Sequence, residues 1–98
     1  MIIVIGTIVA KPDQCESVRR LSEQHVARSR KEPGCIAHDV SVHSDNPNKF
    51  VFVEFWSDLN ALKQHFAEPS SQLFVTTLRE MIDGKPSMRI FNADEVSV

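Results

Sequence analysis

The 98-residue sequence contains little of what cofactor sites and disulfide scaffolds require, with only three glycines and two cysteines. Three scattered glycines cannot form the Gly-rich loops of flavin, nicotinamide or ATP sites, so we expect no cofactor. Cys15 and Cys35 provide neither a disulfide framework nor metal-ligand spacing, which predicts reduced thiols and a cytoplasmic protein. No His-x-x-x-His pair is present, so we also expect no metal.

A strong excess of charge and a long hydrophobic run are also missing. Eleven Lys and Arg residues are scattered among 13 Asp and Glu residues, which argues against nucleic acid and anionic membranes as partners. The apolar residues 1–10 reach about half of the roughly 20 residues that cross a bilayer, and they lack a charged leader. We therefore expect one domain, residues 1–98, whose small core would benefit from an interface with a second copy.

The first half of the chain predicts a strand, a helix and a second strand. Residues 2–9 are mostly β-branched and aliphatic, which is typical of a strand with both faces covered. Pro12 and Asp13 favour the start of a helix that runs to Lys31, and residues 32–34 end it. The second strand is predicted over residues 35–43.

The second half predicts a strand, a broken helix and a last strand. A turn at residues 44–48 joins the second strand to a third strand at residues 50–56. Ser57 or Asp58 caps the next helix, which Pro69 interrupts before a second piece. Residues 83–86 predict a turn, and residues 88–91 a short fourth strand.

The order βαββαβ predicts an α+β, ferredoxin-like domain with a four-stranded antiparallel sheet and two helices on one face. Alternation places large apolar side chains on both faces of the third strand, because Phe52 and Trp56 point one way and Val53 and Phe55 the other. Two helices cover only one face, so we expect a homodimer that packs the other face against a second sheet.

Several motifs in this order resemble the antibiotic biosynthesis monooxygenase (ABM) family of dimeric α/β barrels, which includes small quinol monooxygenases. They are Glu32-Pro33-Gly34-Cys35, Asp39-Val40, Phe52-Val53-Glu54-Phe55-Trp56, and Ala61-Leu62 followed by His65 and Pro69. The resemblance implies a monooxygenase that uses dioxygen on a quinol-like or polyphenolic aromatic substrate without flavin, haem or metal. The haem-degrading branch does not match, because its catalytic Asn, Trp and His would fall near Gly6, His65 and Val75. The sequence also departs from the family at His38 and Ser70, where relatives often carry Tyr and His.

Acid–base chemistry in an apolar pocket is what the residues themselves can support. His65 shares a helical face with Leu62 and fits the family motif, so we interpret it as the catalytic base or orienting group. His25 lies on the inward stripe of the first helix and is the second catalytic candidate. The candidate substrate-binding residues are His38, Phe52, Trp56 and Phe66. Each of these also has a purely structural interpretation, as a core or helix-edge side chain.

Glu54 lies among aromatic residues of the third strand, so if buried it must be paired, hydrogen-bonded or protonated. We expect a structural hydrogen bond or an ion pair at the dimer interface with a residue such as Arg89, and catalysis by Glu54 is the lesser alternative. Two other functions stay open. One is a cofactor-free isomerase or cyclase that works through an enolate, and the other is a non-catalytic dimer that binds a small ligand.

Overall fold

The computed structural model describes residues 1–98 and contains one four-stranded antiparallel sheet covered by three helices. The strands are β1 (Ile2–Ala10), β2 (Cys35–His43), β3 (Asn46–Trp56) and β4 (Ile82–Asn92). The helices are α1 (Cys15–Ser29), α2 (Leu59–Ala67) and α3 (Pro69–Arg79). The strand order is β2-β3-β1-β4. This is the predicted ferredoxin-like fold, with the second helix divided at Pro69 as the proline predicted.

Local sequence explains most element boundaries. Asp58 caps α2, since its Oδ1 accepts a hydrogen bond from the Ala61 amide at 2.8 Å. Asp13 does not cap α1. Pro12 instead opens a single 3₁₀ turn that leads into α1 at Cys15, and no side chain caps the helix. None of the three helices has the length and apolar character that spanning a membrane requires.

The strands β3 and β4 are longer than the sequence predicted. The fourth strand begins at Ile82, and the predicted turn at residues 83–86 instead forms an irregularity in its pairing with β1. Gly84 has φ +69° there, and Pro86 is tolerated because β4 is an edge strand. The third strand begins at Asn46, so only two residues connect it to β2.

Strand alternation divides the sheet into a covered face and an open face. The covered face carries two buried clusters, one around Phe50, Phe52 and Phe74 and the other around Val4 and Trp56. The open face carries side chains that no helix covers, and Ile5 and Phe91 keep 41% and 37% of their surface exposed. The candidate site lies on the covered face, where the helices pack.

Candidate active site

A cavity of about 440 Å³ lies between the sheet and the helices. Its size is within the roughly 300–1,000 Å³ range of small-molecule sites. Much of its wall is aromatic or aliphatic, with contributions from Phe52, Phe66, Phe74, Leu78 and Ile82. Exposed side chains of α2, α3 and β4 border its outer part, among them Phe66 and Met88. The cavity can therefore take an apolar ligand that approaches from solvent.

Three buried histidines from three different elements meet in this cavity. His25 comes from α1, His38 from β2 and His65 from α2, and none exposes more than 6% of its surface. Their ring centroids are 5.1 to 5.8 Å apart. His25 stacks on Phe74 with a centroid distance of 4.0 Å. His65 lies against Trp56 at 4.8 Å, so the histidine cluster sits between the two apolar clusters.

A carboxylate holds one of these imidazoles. The Glu32 Oε1 atom lies 2.7 Å from His65 Nδ1. Because an ionised carboxylate only accepts hydrogen bonds, this contact assigns the proton to Nδ1 and leaves the Nε2 lone pair free. The Nε2 atom lies 4.0 Å from Glu54 Oε1. The pair thus has the geometry of a proton acceptor oriented by a carboxylate.

The turn before β2 makes the Glu32–His65 contact possible. Gly34 has φ +82°, and a Cβ atom at this position would lie 2.5 Å from the Ala61 Cβ and 2.8 Å from Ser57 Oγ. Only glycine permits both this backbone conformation and this close approach to α2. His65 lies one helical turn after Ala61, so the close approach brings the Glu32 carboxylate within reach of its ring.

Burial controls the protonation of the other ionisable groups in the cavity. Desolvation, with the neighbouring His38 and His65, lowers the pKa of His25 from 6.5 to about 3. Desolvation, with His65 nearby, lowers the pKa of His38 to about 4. Burial also raises the pKa of Glu54, against the opposing effect of a hydrogen bond from Trp56. At neutral pH, His25 and His38 are therefore neutral imidazoles.

The cavity brings together five of the six predicted site residues. His25, His38, His65, Phe52 and Phe66 all border it. Trp56, which we expected to stack on a substrate, does not border the cavity and is fully buried. Its indole N–H donates a 2.9 Å hydrogen bond to Glu54 Oε1, and its ring supports His65 from behind.

The structure supports a hydrogen-bonded Glu54 and excludes Arg89 of the same chain as its partner. Glu54 pairs with Val4, whereas Arg89 pairs with the next residue of β1, Ile5. Successive residues of a strand point to opposite faces, so the two side chains are separated by the sheet. The Arg89 guanidinium instead lies 5.0 Å above the Phe91 ring.

Sequence reasoning missed Glu32 and the contribution of α3. Glu32 was recognised only as part of the segment that ends the first helix and of the motif Glu32-Pro33-Gly34-Cys35, and its contact with His65 spans 33 residues. Phe74 and Ser71 face the cavity from α3. Ser71 is a buried serine whose hydroxyl has no hydrogen-bond partner, and a polar residue on the inward side of a predicted helix was the available signal.

The arrangement can accept a proton at His65 and hold polar groups of a ligand with His38 and Ser71. Both ring nitrogens of His38 lack a hydrogen-bond partner, as does the Ser71 hydroxyl. The three imidazoles are also potential metal ligands, because one nitrogen of each lies within 4.8 Å of the others. A ligand with an apolar ring and hydroxyl groups would satisfy both parts of the cavity.

The sequence is similar to two known proteins over most of its length. The sequence is 33% identical over 94 residues to the uncharacterized protein sll1783 of Synechocystis sp., and the match covers 96% of this chain. The chain spans 64% of the length of that relative. It is also 30% identical over 82 residues to YcnE of Bacillus subtilis, which is named a putative monooxygenase, with 84% of this chain and 86% of YcnE covered.

A crystal structure of a putative antibiotic biosynthesis monooxygenase from Deinococcus radiodurans has the same fold. It matches with a TM-score of 0.95 and 25% identity, covering 100% of this chain and 97% of that chain. The model of the antibiotic biosynthesis monooxygenase family matches residues 1–77. That match includes every element of the cavity except the end of α3 and β4. The chain belongs to the antibiotic biosynthesis monooxygenase family.

Proposed function

We propose that this protein is a monooxygenase that adds an oxygen atom from dioxygen to a quinol-like or polyphenolic ring, with its own side chains moving the protons. The observation that carries the proposal is the Glu32–His65 pair, in which His65 borders the apolar cavity and Glu32 holds its ring. Family membership supports oxygenase chemistry. The sequence supplies no loop for a nucleotide cofactor, so the proposed reaction takes its electrons from the substrate itself.

The proposed substrate class follows from the division of the cavity into an aromatic wall and a polar end. Phe52, Phe66 and Phe74 offer surfaces to an aromatic ring. The polar end offers the free ring nitrogens of His38 and the acceptor nitrogen of His65. A phenolic hydroxyl directed at these imidazoles satisfies groups that are otherwise buried without partners.

The proposed reaction begins when His65 Nε2 accepts the phenolic proton while Glu32 stabilises the imidazolium through Nδ1. The electron-rich anion transfers one electron to dioxygen, and the phenoxyl and superoxide radicals then combine through a new C–O bond. The peroxide that results loses water to leave a carbonyl. One oxygen atom ends in the product and the other in water, whose two hydrogens come from the phenolic O–H and the ring C–H. No external reductant is needed.

We further propose that the active form is a homodimer joined through the open face of the sheet. Ile5 is 41% exposed and Phe91 is 37% exposed on that face, and β1 and β3 add further aliphatic side chains. A second sheet packed against it would remove this apolar surface from water. Light scattering should give a dimer mass, and a monodisperse monomer at micromolar concentration would contradict the proposed assembly.

A cytoplasmic location also belongs to the proposal. Cys15 and Cys35 are both free thiols. Free thiols persist in reducing compartments, whereas oxidising compartments favour disulfides. Burial raises the pKa of the Cys35 thiol, so less of it is present as the reactive thiolate.

The test is oxygen consumption by the purified protein with a panel of one- to three-ring quinols and polyphenols. We expect oxygen uptake that His65→Gln lowers by roughly 10²- to 10⁴-fold. His43→Gln should leave it unchanged, because His43 lies at the end of β2 outside the histidine cluster. Conversion of an enol substrate without oxygen uptake would favour the isomerase or cyclase. Tight binding of a panel compound without any turnover would favour the non-catalytic ligand-binding protein.

A further inference from the structure

We propose that His25, His38 and His65 form a binding site for one divalent transition-metal ion, of the zinc type, at the inner end of the cavity. One nitrogen atom of each imidazole lies within 4.8 Å of the other two. The three rings come from α1, β2 and α2. The sequence predicted no metal because no two histidines have ligand spacing along one helix. The fold instead brings the three ligands together from separate elements.

The rings are close enough for one ion after a small inward movement. Zinc–nitrogen bonds of about 2.0–2.1 Å in a tetrahedral site place ligand nitrogens about 3.3 Å apart. The largest separation here is 4.8 Å, so it must shorten by about 1.5 Å. The three rings border an open cavity, which leaves space on one side for their rotation.

His38 provides an independent indication that a ligand is missing from this position. The ring is 1% exposed, yet neither of its nitrogens has a hydrogen-bond partner. Buried polar groups nearly always have partners, and leaving one unpaired is costly. A metal ion between the rings would satisfy one of the two nitrogens.

The carboxylates around the cluster match the surroundings of protein metal sites. A metal-binding histidine usually donates its other ring N–H to a carboxylate, and Glu32 accepts from His65 Nδ1 at 2.7 Å. This leaves Nε2 for the metal. Glu54 Oε2 lies 3.7 Å from His38 Nε2, so a carboxylate oxygen is also available beside the ligands. Imidazole nitrogens with one carboxylate suit zinc, copper and nickel.

Metal binding would compete with the proposed oxygenation. This competition rests on the proposed function, whereas the metal site itself is independent of it. The ion takes the Nε2 lone pair of His65 that the reaction needs as proton acceptor. Zinc is therefore expected to inhibit oxygen uptake. Binding measured without substrate tests the site separately from the function.

The experiment uses the full chain without an affinity tag, stripped by a chelator and titrated with Zn²⁺ by calorimetry. We expect one ion per chain for the wild type and for His43→Gln, the matched control at the fourth histidine. We expect His25→Gln and His65→Gln to weaken binding by at least 100-fold, and Glu32→Gln to weaken it by roughly 10- to 100-fold, the usual effect of losing a carboxylate behind a ligand.

A second measurement on the wild type keeps the proposal testable if a variant does not fold. The copper-loaded protein should show electron paramagnetic resonance couplings to imidazole nitrogens of more than one ring. The proposal is overturned by absence of stoichiometric binding, by binding that His43→Gln removes, by binding that His25→Gln and His65→Gln retain at full affinity, or by a copper spectrum without imidazole coupling.

Discussion

Replacing His65 with alanine separates its chemical role from its structural one. The imidazole is 3% exposed and borders the cavity, so water or ligand can occupy the space that it leaves. Its partner Glu32 keeps 16% of its side chain exposed and can therefore be rehydrated. The cost is then the loss of one charge-assisted hydrogen bond and some packing on Trp56, about 1 to 3 kcal/mol.

The expected loss of activity is larger than the loss of stability. A positioned general base contributes roughly 10²- to 10⁴-fold, which corresponds to about 3 to 5 kcal/mol of transition-state stabilisation. Glu32→Gln should lower turnover less, because the amide oxygen still accepts the Nδ1 proton but does not stabilise an imidazolium as a carboxylate does. Both variants should retain the fold.

The assay pairs oxygen uptake with the thermal midpoint on the same His65→Ala preparation. For a domain of this size, each kcal/mol shifts the midpoint by roughly 4 to 8 °C, so a change near 10 °C is expected. Near-normal specific activity in the folded fraction would show that His65 is structural and not the catalytic base. The base would then have to be sought at His25 or His38.

Two further predictions concern stability. Gly34→Ala should lower the free energy of unfolding by more than about 1 kcal/mol, because the position combines a positive φ with a close contact. Gly84 has the positive φ alone, so Gly84→Ala should lower the free energy of unfolding by less. Chemical denaturation measures both variants, and equal losses would contradict this. Acid should destabilise the chelator-treated protein as the pH falls from 6.5 toward about 4. In this range His25 and His38 bind protons in the unfolded chain but stay neutral in the folded chain, because their pKa values are lowered there. The raised pKa of Glu54 opposes this only in part, and a thermal midpoint that holds constant or rises over that range would contradict it.

The strand and helix order could be predicted because apolar alternation and turn residues mark each element locally. The fourth strand was predicted too short because Gly84 and Pro86 are typical of turns. An edge strand tolerates both, since its outer backbone groups need no partner strand and an irregular pairing absorbs the extra length. Whether a strand lies at the edge depends on the topology, which local patterns do not contain.

The candidate site could be predicted residue by residue but not as an assembly. Helical periodicity placed His25 and His65 on inward faces, His38 was a substrate-binding candidate, and all three are buried in the structure. Their convergence depends on how α1 and α2 cross the sheet, which is a property of packing. Glu32 escaped prediction because its role requires the close approach of Gly34 to α2, and that distance is visible only in three dimensions.

Incorporation of labelled oxygen distinguishes a monooxygenase from an enzyme that acts without dioxygen. The protein is incubated under ¹⁸O₂ with a quinol that it converts, and the product and solvent are analysed by mass spectrometry. We expect one ¹⁸O atom in each product molecule, the other in water, and one dioxygen consumed per product. Product that forms without dioxygen, or product that carries no label, would contradict the proposal that this chain is a monooxygenase.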